Sequence, residues 1–185
     1  MRKVFSLMLA VLICVSLAGF AFADTFTPSV TYKAAPVLVD ATMDGEDVEG
    51  CIVVTSVQAA RKKSTDITQE ERDLLIEVYE KLNDGSMKVD GLDDSYVIRD
   101  LMDLSFAFNA CREQADHDKK HEKLAEPGTT AEVRLRLGLG KHADVVIMTY
   151  IDGKWESIES IKNNADGTLT CVFEDFCPVL VAVKG

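Results

Sequence analysis

From Ala131 onward the chain has a two-residue rhythm that only extended backbone satisfies. Val133, Leu135, Leu137 and Leu139 alternate with Glu132, Arg134, Arg136 and Gly138. Successive strand residues point to opposite faces, so this segment has one dry face and one wet face. Asp144–Ile151 follows as a β-branched, apolar run. Asp152-Gly153 is a two-residue hairpin turn into Lys154–Ile158, since Asp-Gly tolerates the left-handed backbone such turns need. Asn163–Gly167 turns again into Thr168–Phe173, and Pro178–Val183 forms the last strand. Five closely spaced strands predict an antiparallel β-sandwich or half-sandwich.

Upstream, the period changes. Val30–Val39 is extended, with Pro36 marking a sheet edge, and Met43–Asp47 is an acidic turn. Cys51–Val57 is apolar on both faces, which predicts a central strand covered on both sides. Thr68-Gln69-Glu70-Glu71 is a capping box. Leu74, Leu75, Val78, Tyr79 and Leu82 then recur at helical spacing, and Gly85 stops the helix, which spans about 68–83. Tyr96–Phe106 is ambiguous, helical at its start and extended toward its end. Residues 112–128 are highly charged and end in Pro127-Gly128. The expected class is α+β: strands in 24–66, a helical and charged insert in 67–128, and antiparallel strands in 129–185.

The first 23 residues have the layout of a secretory signal peptide. Arg2 and Lys3 precede the apolar run Val4–Phe22, and Ala21-Phe22-Ala23 offers a small-x-small cleavage site before Asp24. The competing outcome is an uncleaved N-terminal anchor, because about 20 apolar residues can span a bilayer. Cys14 does not make a lipoprotein signal: Ile13 before it is too large, and too little apolar chain precedes it. No sorting signal is evident at Val181–Gly185. The expected location is outside the cytoplasm, off the membrane once the leader is clipped. An oxidising compartment makes Cys51, Cys111, Cys171 and Cys177 disulfide candidates. Cys171 and Cys177 are expected on neighbouring strands, each crossing to Cys51 or Cys111; four buried thiols are the alternative.

Trp155, the Asp166-Gly167-Thr168-Leu169-Thr170 turn and Phe176-Cys177-Pro178 before Val179–Val183 together resemble a β-sandwich ending of exported surface and secreted proteins of gut Firmicutes. There the ending reads as a Trp strand, a "DGT" turn, then Phe-Ser-Pro and an apolar strand. Cys177 stands here at the Ser position. The capped helix, Gly85–Lys88 and Tyr96–Arg99 resemble what precedes that ending. The resemblance implies export and a sandwich fold, and no catalytic residue.

Charge and motifs narrow the function further. The net charge of −11 repels nucleic acid and anionic membrane surfaces. No Gly-x-Ser-x-Gly elbow and no Gly-rich phosphate loop is present, and no cofactor is expected. His117 and His121 stand four apart, as metal ligands on one helix face do, but Lys119 and Lys120 flank them and no third ligand is evident. His142 lies in an expected turn without a nucleophile beside it. Asp40–Gly45 opens like a calcium loop, yet position twelve is Cys51 where an EF-hand needs Glu. Asp44, Glu46, Asp47 and Glu49 remain a loose calcium-capturing set. Trp155 either stacks on a ligand or, the leading expectation, caps the core beside Phe173 and Phe176. The sequence therefore points to a non-enzymatic exported domain whose partner is an extracellular protein or glycan. A carbohydrate- or ligand-binding module and a metal-dependent hydrolase are the alternatives.

Overall fold

The computed structural model describes residues 35–107, 129–140 and 142–185. Two antiparallel sheets form its frame. The strands in chain order are β1 (Val37–Met43), β2 (Glu46–Asp47), β3 (Ile52–Ser56), β4 (Tyr96–Phe106), β5 (Ala131–Arg136), β6 (Val145–Ile151), β7 (Lys154–Ser157), β8 (Ile161–Asn163), β9 (Leu169–Phe173) and β10 (Pro178–Lys184). The first sheet has the order β2-β1-β5-β9-β8 and the second β3-β4-β10-β6-β7. Helices α1 (Val57–Arg61) and α2 (Gln69–Asn83) join β3 to β4.

The expected alternation in β5 is present. Ala131, Val133 and Leu135 face the interior against Leu169, Cys171 and Phe173 of β9. From the second sheet, Met102, Leu104, Ile147, Val179 and Val181 complete this inter-sheet core. The predicted Asp152-Gly153 hairpin turn forms, and the acidic turn at Met43–Asp47 is a second hairpin of the same kind: Asp44-Gly45 and Asp152-Gly153 each place two successive residues at positive φ.

A third layer explains the remaining apolar residues. Leu75, Val78 and Leu82 of α2, with Ala60 of α1, pack on the outer face of the second sheet against Leu101, Met148, Leu180 and Ala182. Among the described residues, the second sheet is therefore buried on both faces and the first on one. The capping box closes as the sequence predicts: Thr68 Oγ1 accepts from the Glu71 amide at 3.2 Å, and the Glu71 carboxylate accepts from the Thr68 amide at 2.7 Å. Arg61 joins the two helices, its guanidinium 4.7 Å from the Tyr79 ring centre and 3.6 Å from Glu80.

Four expectations change. Cys51–Val57 is not a central strand: β3 is an edge, and Ser56 caps α1 by accepting from the Ala59 amide. Its apolar character on both faces comes from being sandwiched between the core and the helices. Tyr96–Phe106 is strand throughout, the longest in the fold, so the 67–128 stretch is more than an insert. Both faces of β4 are covered, which hides the two-residue rhythm. Cys171 and Cys177 do not sit on neighbouring strands, because β9 and β10 belong to different sheets. Leu74, expected in the apolar stripe, is 37% exposed, while Leu75 is fully buried.

The third layer makes a direct prediction. Leu75→Ala empties a site between α2 and the sheet and should lower the unfolding free energy by about 2–5 kcal/mol in urea titration. Leu74→Ala should change it by less than about 0.5 kcal/mol. Equal effects of the two would contradict the packing of α2 described here.

Candidate functional site

The residues with chemical potential fall in four places. The first is the hairpin of β1 and β2. Asp40, Asp47 and Glu49 bring one carboxylate oxygen each to within 4.8 Å of one another, all exposed. Asp47 also accepts from the Glu49 amide at 2.9 Å. Two of these three belong to the acidic set noted from sequence; Asp44 instead forms the turn, and Asp40 joins from across the strand pair. Calcium takes six to eight oxygens. Among the described residues the three carboxylates are the only such group of acids, histidines and cysteines.

The second place is the outer face of the first sheet. Strand register lines up Asp40, Arg134, Thr170 and Lys162 across β1, β5, β9 and β8. Thr42, Glu132 and Val172 form the next row. This face is polar, and among the described residues no helix covers it. Arg134 braces it, donating from Nε to Thr168 Oγ1 at 2.8 Å and from Nη2 to Asp166 at 2.7 Å. Asn164 Nδ2 donates to Thr168 Oγ1 at 3.0 Å and to Thr170 Oγ1 at 2.8 Å. The Thr168 hydroxyl donates in turn to Asp166 at 2.7 Å. The Thr168 hydrogen bonds, followed by the Arg134 charge, hold the Asp166 carboxyl below its ordinary range. The Asp-Gly-Thr turn seen in the sequence thus organises a network that stiffens the sheet edge.

A cavity of about 310 Å³ forms the third place, where the sheets part near the ends of β7 and β9. Thr149, Glu156, Ser157, Ser160, Glu174 and Asp175 contribute to its lining. Thr149 Oγ1 is occupied, donating to the Glu156 carbonyl at 3.3 Å.

The fourth place is closed. Thr55, Asp103 and Ser105 are buried polar side chains on the helix-facing side of the second sheet. Ser105 Oγ donates to the Asp103 carboxyl. Burial outweighs that hydrogen bond and pushes Asp103 up to about 7. On the opposite face at a β-bulge, burial pushes Asp100 up to about 6.

The residues singled out from sequence are placed as follows. Trp155 is only 8% exposed, beneath the helices beside Tyr150, with ring centres 5.1 Å apart. It neither caps the inter-sheet core next to Phe173 and Phe176 nor presents a face for a ligand to stack on. Apolar residues of two layers meet at that point, which the sequence does not distinguish from the single core expected. His142 is exposed beside Asn163 and Asn164. Cys171 and Cys177 are free thiols, against the expectation that each crosses to another cysteine. Facing different surroundings on separate sheets, both are pushed up to about 12, chiefly by burial. Cys51 is disulfide-bonded. His117, His121, Cys111, Ala23 and Asp24 lie outside the described residues. Sequence reasoning missed Asp103 and Arg134; the signal for Asp103 was an acid inside an apolar run, Leu101–Phe106.

Compared with known proteins, the chain matches no family model, no curated protein and no solved structure.

Thiolates are the reactive form of cysteine. Cys171 and Cys177 should therefore resist iodoacetamide in the folded protein at pH 8 and react once it is unfolded in urea without reductant. Cys51 should stay unmodified until a reductant is added. Peptide mass spectrometry reads all three positions; rapid native labelling of Cys171 would contradict the burial described.

Proposed function

We propose that this chain is an exported, non-enzymatic β-sandwich module that acts through its folded surface on an extracellular protein or glycan of the bacterial envelope or medium. The observation that carries this reading is the asymmetry of the layers. Among the described residues, helices cover one sheet, while none covers the outer face of the other, which is polar and braced by Arg134, Asp166, Thr168 and Asn164. A stiff open face loses little side-chain freedom on binding, which favours recognition. The alternating charges of Asp40, Glu132, Arg136 and Lys162 suit a polar partner surface.

Export is supported by the leader-like N-terminal 23 residues and by the disulfide at Cys51, since disulfides persist in oxidising compartments. Among the described residues no helix is long and apolar enough to cross a membrane. The β-strand ending and its turn also fit the resemblance to exported sandwich proteins of gut Firmicutes.

Two measurements test the reading. N-terminal sequencing of protein recovered from outside the cytoplasm should begin at Asp24; an intact cytoplasmic chain beginning at Met1 would refute export. On arrays of envelope proteins and glycans, binding should fall at least tenfold in the double variant Arg136→Glu, Lys162→Glu. Both side chains are exposed, so stability should hold. Undiminished binding, or turnover of a substrate by the purified protein, would refute the surface reading.

A further inference from the structure

The chain carries a net charge of −11, yet it holds one run of three consecutive bases, Arg61-Lys62-Lys63. The run closes α1 and opens the connection to α2. All three residues are exposed, as is Ser64 after them. Arg61 is held against α2 by Tyr79 and Glu80. Among the described residues no ion pair holds Lys62 or Lys63. Of the described Lys and Arg residues, only Lys62, Lys63 and Lys88 lie outside helices and strands. Lys88 is pinned on both sides, because Met87 and Val89 pack on the helix layer. None of residues 61–64 belongs to either core.

Two backbone hydrogen bonds close the turn. The Lys63 amide donates to the Ala60 carbonyl at 3.0 Å, and the Ser64 amide to the Ala59 carbonyl at 3.1 Å. This pair is a Schellman ending, which places Lys63 in the left-handed region with φ at 54°. Glycine is the usual occupant, since a Cβ there crowds the following carbonyl. Lysine therefore strains the turn. Behind it α1 has only five residues, well short of a helix that holds without tertiary support, and only its Ala60 is fully buried. Ahead of it the Thr65 hydroxyl is buried without a hydrogen-bond partner. The stretch from Val57 to Thr65 is thus the weakly held part of the helix layer, while the capping box at Thr68 keeps α2 wound.

Exposed polar turns that leave their seat easily are where endopeptidases cut. We propose that this turn is a processing site, at which an extracellular endopeptidase specific for basic residues cleaves after Lys62 or Lys63. Hydrolysis adds one water across the bond: the lysine carbonyl becomes a carboxylate and the next nitrogen a free ammonium. The product is a two-chain molecule. Its halves stay together, because the first carries β1 and β3, which pair with β5 and β4 of the second. The encounter with such a peptidase rests on the export proposed above; the opening of the turn does not.

Trypsin is the probe. Brief digestion of the native protein, read by intact mass, should cut after Lys62 or Lys63 before any other bond among the described residues. The two fragments should co-elute on size exclusion and separate in urea with reductant. Lys63→Gly and Lys63→Ala both leave Lys62 as the cleavable base, but only glycine relieves the strain. Relative to isolated peptides covering 57–68, native Lys63→Gly should be cut at least about fivefold more slowly than native Lys63→Ala. A first cut after Lys88 or inside a strand would overturn the proposal, and so would equal rates for the two variants. Protein recovered from outside the cytoplasm should show a second N-terminus at Lys63 or Ser64. A single N-terminus at Asp24 would overturn processing and leave export standing. A chain confined to the cytoplasm and beginning at Met1 would overturn both.

Discussion

The pairing of β4 with β10 organises everything else. It runs from Tyr96↔Lys184 to Asp103↔Pro178, the most extensive register in the fold. These two strands must be apolar on both faces, because one face meets the other sheet and the opposite face meets the helices. Met102 and Val179 therefore enter the inter-sheet core, while Leu101 and Leu180 enter the layer beneath α2. β3 and β6 attach on either side of this pair, and the helices close over it. Removing the pair would leave neither core with a floor.

This constraint explains which elements the sequence reveals. β5 is covered on one face, so its wet residues Glu132, Arg134 and Arg136 mark every second position and its strand character is plain. The Asp152-Gly153 hairpin and the α2 capping box are legible because local chemistry alone specifies them. β4 carries no such mark: with Leu101, Met102, Asp103, Leu104 and Ser105 all buried, periodicity vanishes. The same double burial makes β3 read as a central strand although it is an edge. Sheet membership is a matter of long-range pairing, so nothing local shows that β9 and β10 separate into different sheets. That separation is also what divides Cys171 from Cys177.

Of the candidate chemistry, the sequence located the acidic hairpin in part and placed Trp155 on the wrong core. It noted the Asp-Gly-Thr turn without its role. Asp166 and Thr168 become a network only when Arg134, from a distant strand, lies alongside. A residue's partners across a sheet follow from register, and register follows from the global packing. Asp103 illustrates the same point: it is one acid among 31 Asp and Glu until the helices seal it beneath α2. Arg134 and its partners brace an exposed face, while Asp103, Thr55 and Ser105 lie buried beneath the helices.

Hydrogen exchange read by mass spectrometry tests the central pairing most directly. Amides buried in a doubly covered strand pair open only with global unfolding. The account predicts that peptides covering 96–106 and 178–184 exchange last and together, after those of β2 and β8. Early exchange across 96–106, while 131–136 stays protected, would show that β4 is not the spine of the molecule.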